Sequence, residues 1–340
     1  MGTKRLFMMQ SNRSKIVGLV VGIIVLIISM VASILFGHQQ FGVKDLWLAY
    51  SEFDGSNEHL ILTTTRVPRA LIAAAVGASL AIAGAIMQVL TRNPLASPSI
   101  LGVNAGAVLF IVVGLSVFGS SLSMTGMIWL AFTGAVITSV IVYTLGMQGG
   151  GGFEPIKLTL AGACIAAFAS SITSGIILIN KESLDSALFW MIGSVSGRNL
   201  DHLFMVLPYM AAGFVISVLL SGSLNIMALG EDGAKSLGQR MTLVRVMSAA
   251  AIVLLAGSSV SAAGPIAFIG LIVPHLCKYI VGNNFKWLLL YCALTGAILL
   301  VTADIASRFI LESKEIPVGV ATAIIGVPFL IHVARRRNHG

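Results

Sequence analysis

Few residues in this chain could do chemistry, and they are widely scattered. Gly233-Ala234-Lys235-Ser236 comes nearest to a phosphate-binding loop, but the GxxxxGK[ST] pattern needs glycine where Leu229 and Ala234 stand. Without those glycines no backbone cradle for a triphosphate is expected, so the sequence excludes ATP hydrolysis by that route. No HExxH, paired catalytic carboxylates or Ser-His-Asp grouping occurs in any apolar stretch. His275 and His332 are single histidines expected near helix ends, where an interfacial role outweighs metal ligation. The three cysteines, Cys164, Cys277 and Cys292, lie in or at the edge of apolar stretches. Their odd number and the lack of CxxC spacing favour packing over a disulfide framework or metal cluster. What remains is electrostatic. Asp304 and Arg308 stand four residues apart, the spacing of a helical ion pair. Arg66 and Arg69 flank a Val-Pro pair. Such groups hold or steer a charged partner; they do not make or break covalent bonds.

The elements that must position them are set by composition. Of 340 residues, 57% are hydrophobic and only 10% charged, with a mean hydropathy of +0.97. Soluble domains carry roughly 25% charged residues, so most of this surface must face lipid. About 20 apolar residues cross the hydrocarbon core as a helix. Dividing the charge-free stretches at their polar breaks predicts ten spans, near 16–36, 68–90, 99–118, 126–146, 157–179, 203–222, 243–262, 266–281, 286–303 and 316–334. The first, 21 residues from Ile16 without a charge, is expected to be retained as a span and not cleaved as a signal peptide. The expected architecture is all-α, a single transmembrane domain over 1–340.

With ten spans both termini lie on one side. Placing them in the cytoplasm puts 14 Lys and Arg inside and 7 outside, against 3 and 10 acids, which together give the net charge of +8. The basic bias fixes the orientation. The net charge is therefore a record of topology, and nucleic-acid binding is not expected. The inward residues include the N-terminus 1–15, the loop 225–240 and the C-terminus 335–340. A shift of 180 residues aligns 66–104 with 246–284 with 11 identities in 39 positions, among them Gly77/Gly257, Gly84/Gly264, Pro94/Pro274 and Gly102/Gly282. The copies start five spans apart and so run in opposite directions, a weak inverted repeat of the kind transporters use.

Ala73, Gly77, Ala81 and Ala85 recur every four residues, as do Ala163, Ala167, Ser171 and Gly175. Small-residue faces let helices approach closely in lipid. The first is expected to pack within the chain; for the second, ordinary packing within the chain and the lining of a pathway or a subunit interface both stay open. Acids are absent from the central spans, which disfavours an ion-coupled secondary transporter, and no filter-like loop suggests a channel. In 225–240, acids at 231 and 232 precede Ala234, Lys235 and Leu237, predicting a short helix ended by Gly238. Such a helix is a docking element or a plain connector.

A resemblance carries the reading further. Arg66-Val-Pro-Arg69 with Gly77 to Gly84, Gln88, Asn93-Pro-Leu-Ala96 and Leu101-Gly102 is similar to the iron-siderophore and cobalamin (FecCD-type) permeases of ABC importers. So are Leu229-Gly230 to Leu237-Gly238, Gly264-Pro-Ile-Ala-Phe-Ile-Gly-Leu-Ile-Val-Pro-His275, Ala303-Asp304 to Arg308, and Glu315-Ile-Pro-Val-Gly319 to Gly326-Val-Pro328. The resemblance implies a type II ABC importer permease fold in a bacterial cytoplasmic membrane. It implies a second permease subunit, two cytoplasmic ATPases that bind ATP and Mg, and an extracytoplasmic binding protein. It also implies that Leu229, Gly230, Glu231, Asp232, Ala234, Lys235, Leu237 and Gly238 couple to the ATPase. Arg66, Arg69 and Arg308 would form an exposed rim that meets acidic residues of the binding protein. Ala163, Ala167, Ser171, Gly175, Thr322 and Gly326 would line the path. No cofactor, metal or catalytic residue is implied for this chain. The expected cargo is a ferric siderophore, with cobalamin and haem as alternatives.

Overall fold

A computed structural model describes residues 8–9, 11–37, 39–148, 154–179, 184–310 and 315–337. Residues 1–7 and 338–340 of the expected cytoplasmic termini, and Lys181 and Lys314 of the expected outward charges, lie outside the described residues.

The described residues are helical throughout their spans. In chain order the helices are α1 (Asn12–Leu35), α2 (Val43–Ser51), α3 (Asn57–Leu60), α4 (Val67–Leu90), α5 (Val103–Phe118), α6 (Met124–Met147), α7 (Pro155–Ile179), α8 (Leu184–Ile192), α9 (Leu200–Leu219), α10 (Ser221–Met227), α11 (Glu231–Ser236), α12 (Met241–Ala263), α13 (Ile269–Val281), α14 (Phe285–Ser307) and α15 (Val318–Arg337). A π-helical turn, Ile61–Arg66, joins α3 to α4. Seven helical stretches are long and apolar enough to cross a membrane, and α5, α13 and the apolar part of α15 are shorter. These ten correspond one for one to the ten stretches expected from sequence. Side chains that cap orphan backbone donors fix several starts: Ser11 accepts from the Ser14 amide, Ser123 from Gly126, and Asn199 from His202, at 3.0–3.1 Å.

Two starts differ from expectation. The eighth span begins at Ile269 because Gly264 takes φ +73° and the chain stays irregular to Phe268. The third begins at Val103, after a 3-10 turn over Pro98–Leu101 closed by Gly102 at φ +74°. The two copies of the repeat therefore agree over their long helices and then part: α4 runs to Leu90, whereas α12 stops at Ala263.

Burial sorts the helices into layers. In the most apolar window of each span, α4 is 78% buried, α12 67% and α14 56%, against 11% for α1 and 17% for α7. The centre is possible because α4 has a nearly smooth face. A Cβ at Gly77 would stand 2.2 Å from the Gly296 carbonyl oxygen of α14, and one at Gly84 only 1.8 Å from that of Gly270 on α13. Only a bare backbone allows that approach, which replaces hydrophobic burial as the source of association in lipid. The stripe from Ala73 to Ala85 is thus intramolecular packing.

Candidate functional site

The helix ends gather at two opposite poles. At one, the start of α4 meets the end of α14, the segment after α1 and the turn following α8: Arg69 reaches Asp304, Arg308 reaches Ser33 and Phe36, and Ser194 donates to the Ala263 carbonyl at the end of α12. At the other, Lys278 donates to Gln88 at 2.7 Å, the Phe285 amide donates to Asn225, and Met9 donates to the Ile280 carbonyl. Loops expected on the same side of a membrane are therefore together in space.

At the first pole the arginines form a closed network. Asp304, fully buried, accepts from Arg69 Nε at 3.0 and 3.1 Å, from Arg69 Nη2 at 2.9 Å and from Arg308 Nη2 at 2.5 Å. Arg69 Nη1 donates to Glu315 at 2.6 Å and to Ser196 Oγ at 3.4 Å. Arg308 also donates to the Ser33 carbonyl, the Ser33 hydroxyl and the Phe36 carbonyl at 2.6, 2.9 and 3.0 Å. Arg66 donates to the carbonyls of Phe36 and Gln39. Asp304 lies inside α14 and Arg308 caps it, so the pair is part of the helix and not beyond its end.

This corrects the expected exposed rim. Arg66, Arg69 and Arg308 are only 7, 4 and 1% exposed. The physical reason is stoichiometry and place. Two carboxylates and a row of carbonyls at converging helix ends supply acceptors for most of the guanidinium hydrogens, and charges so paired can leave water. Glu315, whose side chain is 30% exposed, is the one network carboxylate that touches solvent. Sequence gave no signal for its role, since it meets Arg69 across 246 positions.

At the second pole, α10 and α11 build the expected short-helix loop. Gly230, at φ +110°, opens the turn into α11, and Gly238, at φ +72°, follows its end. Leu229 and Leu237 flank the helix at 71% and 63% exposure. Asp232, Lys235 and Gly238 are exposed beside them, while Ala234 is buried and pins the loop to the bundle. A cleft of about 330 Å³ opens alongside, lined by Gln88, Arg92, Pro94, Leu229, Gly230 and Lys278.

The proposed path residues do not stay together. Ala163, Ala167, Ser171 and Gly175 lie on an uncovered face of α7. Thr322 is 3% exposed, and a Cβ at Gly326 would stand 2.2 Å from the Phe268 ring. Those two α15 residues pack inside the chain, because Phe268 turns into the gap Gly326 leaves. Among the described residues no group of three or more His, Cys, Asp or Glu could hold a metal.

Ten apolar helices around a glycine-lined centre, an ion network at one pole and an exposed leucine loop at the other define a polytopic transport subunit. The chain belongs to the FecCD transport family, whose model matches residues 25–336. It is 49% identical over 323 residues to YfiZ of Bacillus subtilis, a siderophore transport system permease by name, covering 95% of this chain and 97% of that one. It is 42% identical over 319 residues to the ferric enterobactin transport system permease FepD of Escherichia coli, covering 94% and 95%. A solved chain described as an inward-facing conformation of a metal-chelate type ABC transporter superposes with a TM-score of 0.82 at 28% identity, covering 94% of this chain and 98% of that one. The chain is therefore a multi-pass membrane protein, the permease subunit of an ABC importer.

Proposed function

We propose that this permease moves a ferric siderophore across the bacterial cytoplasmic membrane, powered by a separate ATPase. The observation that carries the reading is the pair of exposed leucines, Leu229 and Leu237, on a short helical loop at the pole opposite the ion network. An apolar pair that a monomer would otherwise bury is the mark of a partner surface. ATP and Mg²⁺ would be bound by that partner, a reading supported by Leu229 and Ala234 standing where a P-loop needs glycine. The basic bias of the sequence supports placing this pole, with both termini, in the cytoplasm. ATP binding and hydrolysis would change the spacing of two such loops, and the helices would rock to expose a central cavity alternately to each side.

The second permease subunit, a copy or a paralogue, would cover the small-residue face of α7. The ion-network pole would receive the extracytoplasmic binding protein. Three arginines against two carboxylates leave the network itself one positive charge in excess, within an outward face that holds 7 basic and 10 acidic residues, so any steering by these arginines would be local and would not act through free side chains. Siderophore cargo is supported by the names of the relatives; cobalamin and haem remain the alternative cargoes.

Reconstitution tests the reading. The permease with its ATPase and binding protein in proteoliposomes should take up ferric chelate only with ATP, and disruptive changes at Glu231 and Leu237 should uncouple uptake from hydrolysis. Uptake by the purified chain alone under a proton or sodium gradient would instead establish an ion-coupled carrier.

A further inference from the structure

The pole that holds the ion network carries a fourth arginine, and its surroundings differ from those of the other three. Arg198 is 5% exposed, in the turn between α8 and α9. Among the described residues its bonded partner is the thioether of Met124, which Nη1 meets, and Nε is buried without a hydrogen-bond partner. Arg66 rests on two backbone carbonyls, and Arg69 and Arg308 share Asp304. Arg308 also leaves Nε unpaired, but its other nitrogens meet two carbonyls, a hydroxyl and a carboxylate. Among the described residues no carboxylate forms an ion pair with Arg198; Asp201, three positions on, is exposed on the first turn of α9.

The backbone makes the unpaired charge more costly still. Met124 is the first residue of α6 and Asn199, next to Arg198, caps α9. Helix N-termini carry positive partial charge, so a guanidinium has been set where two of them converge. Burial pulls its proton affinity down, but an arginine at neutral pH keeps its charge. A buried cation without a counter-ion at such a place is the arrangement that binds an anion. Arg198 stands two residues from Ser196, which Arg69 touches, so it lies at the ion-network pole.

We infer that Arg198 is an anion site that receives a carboxylate of a small chelate arriving from the ion-network side. The planar guanidinium presents paired donors that match a carboxylate, as a lysine would not. A small molecule is favoured over an acidic side chain of a folded partner because only one twentieth of Arg198 is reachable from the surface. This inference rests on the chelate-import reading above for the identity of its ligand, but not for the existence of the site.

The test uses the permease–ATPase complex in nanodiscs without binding protein, with citrate and ferric citrate as probes at matched ionic strength. Both should raise the Tm of the wild type saturably. Arg198→Gln should weaken that apparent affinity at least tenfold, with Arg198→Lys intermediate. Arg198→Met, which removes an unpaired buried charge, should leave the probe-free Tm no lower than wild type and abolish the response, so lost binding cannot be a folding defect. No citrate response in the wild type, an equal response in Arg198→Gln, or a variant that weakens only binding-protein affinity would each overturn the assignment. Failure of the import reading is a separate result, namely no ATP-driven uptake by the wild-type complex.

Discussion

At the ion-network pole Asp304 holds two arginines with no exposure to water, whereas at the opposite pole Leu229 and Leu237 stand 71% and 63% exposed. Each places residues against ordinary preference, charges inside and leucines outside. The charges are almost fully satisfied within the chain. The leucines have no such cover. One pole therefore contributes to holding the helices together, and the other is built to be completed by a second protein. Substitutions at the first should change Tm, and those at the second should change association while leaving Tm alone.

Asp304→Asn should give the largest effect. It strands the Arg69 and Arg308 guanidiniums, and breaking a buried pair costs about 3–5 kcal/mol. Thermal unfolding in detergent should show a large fall in Tm; an unchanged Tm would mean the network does not brace α4 against α14. Next comes Leu229→Asp with Leu237→Asp. Central apolar anchors of an interface are worth ~2 kcal/mol each, so the ATPase should fail to co-purify while Tm stays at the wild-type value. A retained complex would return the loop to the role of connector. Glu315→Gln should cost less, about 1 kcal/mol, because its side chain is 30% exposed and the neutral amide still accepts from Arg69. Its Tm should fall between wild type and Asp304→Asn. Lys157→Ala, which removes an exposed pair with Glu154 at 2.8 Å, should shift Tm by under ~1 kcal/mol equivalent, the smallest effect of the set.

The sequence made the helices legible because lipid imposes a length and forbids charge. All ten apolar stretches are helices, and the glycines of α4 sit where backbones cross. The loop over Glu231–Ser236 was legible too, since acids, an apolar pair and a terminating glycine are local signals. The ion network was not. Asp304 and Arg308 are four apart and could be paired on paper, but Arg69 joins them across 235 positions. Tertiary distance alone decides whether an arginine at a helix start faces water or a carboxylate. Arg66, Arg69 and Arg308 therefore read as exposed when they are buried. The packing of Thr322 and Gly326 was equally hidden, since only the turn at Phe268, with φ +70°, shows what fills the space beside them. Arg198 left no trace in the sequence beyond its charge.

Chelate uptake by the complete complex carrying Leu229→Asp and Leu237→Asp, compared with wild type in the same proteoliposomes, is the most direct test of the exposed leucines as the ATPase contact. Uptake should be ATP-dependent in the wild type and absent in the variant, at equal Tm. Equal uptake by both would contradict that role.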